Sequence, residues 1–510
     1  MAKVSKGVPP VRGTLVRLTC AGLVAVAASL TPVPAEADEA PDRVQADLER
    51  LSAERSVQLA DKATGPAARA LYEAGAKAYL ELFHGRCEAP VDAGDPPRAP
   101  RCDEIAFNAA RAFRAAGLAP LSIDVYQRLV SYDGKTRGRS PLAKRAIYQL
   151  GGVYQALAMY ALAAEHYERY ATLYPAEPEA AGALADALVL RIGLGEDESA
   201  SADARLFLKL YSASKPARAA QALLAVAAQY ASRGDWARTL ATLSGVRSLF
   251  DRAPIDIRIQ ARALLGRAHA GGPLATRALA SAEYASVLSL WGDGTQAARA
   301  IEAAWSDEDE ATRMKRLARA LMVVGEAMFF AAEARRLAEL EPLKPPVYQG
   351  PVEEALMRRH LETRVKDWMQ KKRQAIESVE AAYTRVLGVQ PLPPPRWAVD
   401  SAAQVGAMWA TFADEVGRVL PLSVQRRGGR PTQVGLALEG VQDPLRKGRA
   451  RAALKACLGL SIKFLFVDEH TRACESWLVK NGDIHATDEI IPSLRAGSHD
   501  VFPPLVAVDP

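Results

Sequence analysis

KRAIYQLGGVYQALAMYALAAEHYERYATLYPAE, from Lys144 to Glu177, is the stretch that decides the fold. Apolar residues recur at three and four through both of its halves, the period of an amphipathic helix. Gly151 lies three residues before Tyr154. Ala163 follows nine after that tyrosine, Tyr167 four later and Pro175 eight later. Two antiparallel helices need small residues where they cross, and Gly151 and Ala163 supply them. Tyr154 and Tyr167 are large enough to fill the gap to a neighbouring hairpin. Pro175 stops the second helix because it lacks an N–H donor.

Working outward, the same layout recurs. Upstream it is carried by Ala110, Phe113, Gly117 and Tyr126. Downstream it is carried by Ala227, Tyr230, Gly234, Trp236 and Leu243, then by Gly266, His269 and Tyr284. Leu190 and Phe207 occupy the interval between. The anchors Phe113, Tyr154, Leu190, Tyr230 and His269 step by 41, 36, 40 and 39 residues. A near-constant step means stacked copies of one unit. The expected packing residues are therefore Gly151, Tyr154, Ala163, Tyr167, Pro175, Tyr230, Gly234 and Gly266. This spacing resembles the tetratricopeptide repeat, a helix-turn-helix unit of about 34 residues. The resemblance implies an all-α solenoid of helical hairpins with a C-terminal helical extension, and a protein-binding role.

The expected organisation is a signal peptide over 1–37, a helical lead-in over 38–65 and the solenoid over 66–290. A long helix and Pro-rich link cover 291–351, a C-terminal helical domain 352–480 and an irregular tail 481–510. Thr312 to Leu340 reads as one long helix and Val352 to Gly388 as another, with its mixed charges forming a solvated face. Leu422 to Gly435 reads as a polar loop, and Pro444 to Phe466 with Asp468 to Lys480 as the last hairpin. The acidic run Asp307 to Glu310 lacks the alternating ligands and turn glycine of an EF-hand and reads as a solvated cap.

The N-terminus has the three-part layout of a secretory signal peptide. Lys3, Lys6, Arg12 and Arg17 precede an uncharged run from Leu18 to Leu30, followed by Ala35-Glu36-Ala37. That run is shorter than the roughly 20 residues that span a bilayer. An uncleaved short anchor is the alternative. Cys20 opens the apolar run, and Arg17 stands where a lipobox has Leu, so lipidation is not expected. Cleavage leaves four cysteines in two local pairs, Cys87 with Cys102 and Cys457 with Cys474. In an exported chain these read as two disulfides, with four buried thiols as the alternative. The expected location is periplasmic or secreted.

The composition narrows function by exclusion. Of 510 residues 49% are hydrophobic and 24% charged, which excludes a disordered chain. The net charge is +6, and half of that sits in the first 37 residues, so no nucleic-acid footprint remains. No HExxH, P-loop, GxGxxG or GxSxG occurs, and the seven histidines are scattered. His470 and Cys474 share a helix face without a second ligand pair. No catalytic residue, cofactor site or metal ligand set is therefore expected. What remains is the first-helix surface of each hairpin, where Asn108, Arg111, Gln149, Gln155, Arg191, Gln229 and Arg233 form a candidate partner groove.

The C-terminal third has a helix with Tyr383, a proline break and a Trp397-to-Phe412 helix. A Pro-Leu turn and a terminal helix with Cys457 before Trp477 follow. In this order it resembles repeat proteins of myxobacterial cell envelopes, some of them parts of gliding-motility machinery. That resemblance implies an exported scaffold whose partners are other envelope proteins, with no transmembrane segment after processing. A subunit acting on cell-wall or lipid material, catalytic or not, is the second expectation.

Overall fold

The computed structural model describes residues 39–88, 101–135, 140–272, 276–427 and 429–482. The signal-peptide segment and nearly all of the 481–510 tail lie outside them. The chain divides into two compact units, residues 1–146 and 147–510. Among the described residues no helix is long and apolar enough to cross a membrane.

The fold is all-α and tetratricopeptide-like. The first unit holds α1 (Glu39–Ala60), α2 (Gly65–Arg86), α3 (Cys102–Ala115) and α4 (Ala119–Lys135), and α5 (Pro141–Ala156) begins in it. In the second, α6 (Tyr160–Leu173) packs on α7 (Ala180–Leu194), which packs on α8 (Asp197–Tyr211). The series continues with α9 (Pro216–Ser232), α10 (Trp236–Ser244), the short α11 (Arg247–Asp251), α12 (Ile255–Gly271) and α13 (Arg277–Trp291).

One turn chemistry closes four successive hairpins. The first helix ends with a residue in the left-handed region: Gly117 (φ 82°), Ala158 (φ 57°), Gly195 (φ 77°) and Gly234 (φ 73°). The next residue donates its N–H five positions back, from Leu118 to Phe113, Met159 to Tyr154, Glu196 to Arg191 and Asp235 to Tyr230. The left-handed residue itself donates three back, from Gly117 to Arg114 and Gly234 to Ala231, for instance. This paired closure satisfies carbonyls that a helix end otherwise leaves unbonded. Glycine suits the position because it has no Cβ to crowd a positive φ. Gly234, expected as a packing residue, is thus a turn residue with open space around it.

Five residues beyond each such turn, the second helix presents a small buried side chain to the first: Ser122, Ala163, Ala200 and Thr239. Ser122 Oγ donates to the Ala110 carbonyl at 2.8 Å, and Thr239 Oγ1 reaches the Ala227 carbonyl at 3.5 Å. Gly151 lets Tyr167 approach so closely that an added Cβ would stand 2.6 Å from the ring. Gly266 is crossed by the Tyr284 ring in the same way, at 3.0 Å. Tyr154 is buried and stacks on His166, with ring centroids 5.3 Å apart. Pro175 is exposed just past the end of α6.

The turn pattern corrects one anchor. The residue equivalent to Phe113, Tyr154 and Tyr230 is Arg191, not Leu190, because Arg191 accepts the Glu196 N–H. The third hairpin therefore replaces a packed aromatic with a neutralised arginine. His269 is only half-buried and lies outside the four-turn series.

The remainder comprises α14 (Gly294–Ala304), the 31-residue α15 (Glu310–Leu340) and α16 (Glu354–His360). Then come α17 (Lys366–Thr384), α18 (Pro395–Val416), α19 (Leu422–Gln425), α20 (Gln433–Asp443), α21 (Arg451–Phe464) and α22 (Glu469–Lys480). Two π-helical segments, 361–365 and 444–450, join α16 to α17 and α20 to α21 without a break. The expected polar loop at 422–435 is instead α19, a two-residue ladder of β1 (Arg426–Arg427) with β2 (Arg430–Pro431), and the start of α20. Gly435 makes this compact, since a Cβ there would meet the Gln425 carbonyl at 2.2 Å. The core of this part gathers Ile376, Tyr383, Trp409, Phe412 and Val416.

Cys87, at the end of α2, is bonded to Cys102, at the start of α3, with Cα atoms 5.8 Å apart. Cys457 on α21 is bonded to Cys474 on α22, with Cα atoms 6.6 Å apart. Each cross-link closes a short loop, and such loops stabilise a fold by about 3 kcal/mol in the chain-entropy account.

Candidate functional site

In the first unit α1, α2 and α3 line a polar cleft of about 370 Å³. Most of its charges are spent on one another. Arg50 lies 3.6 Å from Asp47 and 3.5 Å from Glu54. Gln58 donates to Glu54 at 3.2 Å, and Arg101 pairs with Glu104. Beside the cleft, Tyr72 donates to Asp61 at 2.6 Å, and that bond raises the phenol pKa. Two of the lining groups left over stand on α3. Asn108 and Arg111, one turn apart on α3, have no hydrogen-bond or ion-pair partner among the described residues. An amide and a guanidinium so placed match a peptide group and a carboxylate.

The other groove candidates belong to the second unit, and most are engaged. Arg191 donates to Glu168 at 2.7 and 3.1 Å and to Glu196 at 2.6 Å, with its side chain only 13% exposed. Arg233 donates to Asp197 at 2.6 Å, tying the end of α9 to the start of α8. Gln155, also a groove candidate, accepts the Tyr167 hydroxyl at 2.9 Å and is engaged within its own hairpin. Gln149 and Gln229 are half-buried, and the Gln229 amide has no partner among the described residues. Asn108 and Arg111 share one cleft; Arg191 and Arg233 instead hold neighbouring hairpins together.

Beside Arg191 stands Asp203, 5% exposed, with Oδ2 unpartnered. Burial and the neighbouring Glu168 push its carboxyl up to about 7.

Sequence reasoning missed a buried ion cluster around Glu308. Glu308, read as part of a solvated cap, has a side chain only 8% exposed. It takes a bidentate pair from Arg316 at 2.6 and 2.7 Å and a bond from Arg218 at 2.7 Å. Arg316 also faces Asp256 at 3.4 Å and lies 3.6 Å over the Trp305 ring, whose Nε1 donates to Asp256 at 3.0 Å. Bonding to Arg316 lowers the Glu308 pKa. Asp309, beside it, caps α15. No local pattern announces this cluster, because its members come from α9, α12 and α15 and the turn before α15.

A smaller cluster also escaped the sequence reading, which expects no metal ligand set. Asp400 on α18 meets Asp468 and His470 at the start of α22, with one ligand atom from each within 4.8 Å of the others. Cys474, the residue sharing a helix face with His470, is spent in the disulfide. Burial pushes the Asp400 carboxyl up to about 6.

No family model matches the chain, and no curated protein matches it. Among solved structures it is similar to "Structure of Naa15/Naa10 bound to HypK-THB", at 13% identity over 88% of this chain and 68% of that one, with a TM-score of 0.28. It is also similar to a "Circular tandem repeat protein with novel repeat topology and enhanced subunit contact surfaces", at 14% identity over 90% of this chain and 100% of that one, with a TM-score of 0.17. Both superpositions are poor, so the fold assignment rests on the hairpin geometry itself.

Proposed function

We propose that the protein is an exported, non-catalytic scaffold that binds an extended segment of a partner in the α1–α3 cleft. The observation that carries this reading is the pair Asn108 and Arg111. They are unpartnered in a cleft where Arg50 pairs with Glu54, Arg101 pairs with Glu104 and Asp61 accepts the Tyr72 hydroxyl. A guanidinium with no carboxylate of its own is a ready donor to an acidic side chain or a chain terminus. Stacked hairpins present such groups on a firm backbone, which limits the ordering cost of binding.

The reading as a subunit acting on wall or lipid material calls for perturbed polar groups converging in one closed cleft. Of the raised acids, Asp186 on α7, Asp203 on α8 and Asp400 on α18, none lines the α1–α3 cleft. Export is supported by the Ala35-Glu36-Ala37 layout and by the two disulfides, which persist in oxidising compartments. The order of features in the C-terminal third supports partners in a cell-envelope complex of the myxobacterial kind, with motility machinery one such setting.

The test has two arms. N-terminal sequencing of exported protein is expected to begin at Asp38; a start at Met1 or Cys20 removes the cleavage reading. Capture of envelope proteins by the wild type is compared with capture by the Asn108→Ala, Arg111→Ala double variant. Loss of a specific partner at unchanged melting temperature supports the cleft. Equal capture by both refutes it.

A further inference from the structure

We propose that Asp400, Asp468 and His470 form a site for a divalent transition-metal ion of the Zn²⁺ class, which pins the start of α22 to α18. Asp400 is 1% exposed, and its Oδ1 has no hydrogen-bond partner. A buried carboxylate oxygen without a donor is costly to leave unmatched, and a cation is the group that matches it. The other oxygen, Oδ2, faces Arg396 Nε at 3.5 Å. The Arg396 side chain is 52% exposed and lies 4.9 Å over the Trp397 ring, so its pairing with Asp400 is screened by solvent.

The ligand atoms of Asp468 and His470 complete the set within 4.8 Å. Asp468 is held in place by the Thr471 N–H at 2.9 Å and the Thr471 hydroxyl at 3.2 Å, both on Oδ1. The His470 imidazole makes no hydrogen bond among the described residues. Ligands about 2.1 Å from a tetrahedral ion stand about 3.4 Å apart, so no pair in the cluster has to close by more than about 1.4 Å on binding. One imidazole with two carboxylates suits Zn²⁺ or its neighbours better than Mg²⁺ or Ca²⁺, which prefer oxygen alone. Three protein ligands leave a position for water. The Cys457–Cys474 disulfide and the side chains of Val399, Ala403, Leu454 and Leu478 pack on the same helices, which makes the site a second pin beside a covalent one.

The experiment uses the untagged full chain, stripped with chelator, equilibrated with Zn²⁺ and gel-filtered. Retained metal is read by elemental analysis and melting temperature by circular dichroism. One Zn²⁺ per chain and a raised melting temperature are expected for the wild type. His470→Gln and Asp400→Asn are expected to weaken Zn²⁺ binding by more than about 100-fold, beyond what losing a supporting residue does. Glu469→Gln, an exposed neighbour, is expected to keep full retention. His470→Gln alters a half-exposed side chain, so it keeps the test meaningful if the Asp400 variant does not fold. No retention by the wild type overturns the proposal. So does unchanged retention in His470→Gln, equal loss in Glu469→Gln, or Mg²⁺ or Ca²⁺ competing as well as Zn²⁺.

Discussion

Ala158→Gly is expected to stabilise the protein. In the four matching hairpin turns the left-handed position is Gly117, Ala158, Gly195 and Gly234, so Ala158 is the one residue there with a Cβ. Its φ of 57° brings that Cβ toward the following carbonyl, at a cost of about 1–2 kcal/mol for an L-residue. Ala158 is exposed, so its methyl group contributes no core packing. Glycine relieves the strain but gives the unfolded chain more freedom, which takes back about 0.4–1 kcal/mol. The net gain is about 0.5–1 kcal/mol, a rise of about 1 °C in melting temperature for a unit of this size. The mirror experiment is Gly234→Ala. An added Cβ there meets nothing within 4 Å, so any loss is backbone strain alone. It is expected to lower stability by about 1 kcal/mol. The assay is urea unfolding followed by circular dichroism, comparing midpoints at unchanged slope. If Ala158→Gly fails to raise the midpoint while Gly234→Ala leaves it unchanged, the turn equivalence is wrong.

Four further outcomes test the packing and the charges. Gly151→Ala places a Cβ 2.6 Å from the Tyr167 ring and is expected to cost about 1–3 kcal/mol, Gly151→Leu more. Gly182→Ala on α7, with open space around it, is expected to gain about 0.5–1 kcal/mol in the same urea assay. Glu308→Ala leaves Arg316 buried without its main carboxylate and is expected to cost about 3–5 kcal/mol, with Trp305 fluorescence shifting to the red. Asp203→Asn tests linkage. Its folded pKa, near 7, lies above the unfolded value of about 3.9, so the native state holds the extra proton. Stability from this group is present at low pH and lost as pH rises through that window. The variant's advantage over the wild type should therefore grow between pH 4.5 and 7.5, by on the order of 1–3 kcal/mol. A pH-independent difference would mean that Asp203 is already ionised.

The hairpins were legible because their determinants are local. Apolar residues at three and four set the helices, and glycine or proline marks their ends. Arg191 shows where that reading fails. An arginine at an aromatic's position looks like a surface residue until Glu168, 23 positions away in sequence, is brought within 2.7 Å of its Nε. Asn108 and Arg111 came from the same helix-face reasoning as Arg191 and Arg233. Only the surrounding acids distinguish the unspent pair from the committed one.

From its sequence alone this chain is an all-α repeat of helical hairpins, since short-range sterics and periodicity dictate helix, turn and step. Local spacing also named Cys87 with Cys102 and Cys457 with Cys474, because short separations leave few other partners. Tertiary structure decided the fate of the charges. Glu308 became the centre of a buried cluster, and Asp400 was brought to Asp468 and His470 across nearly 70 positions. A side chain's ionic partner is set by which helices are adjacent in space, and adjacency between distant segments leaves no mark on local pattern.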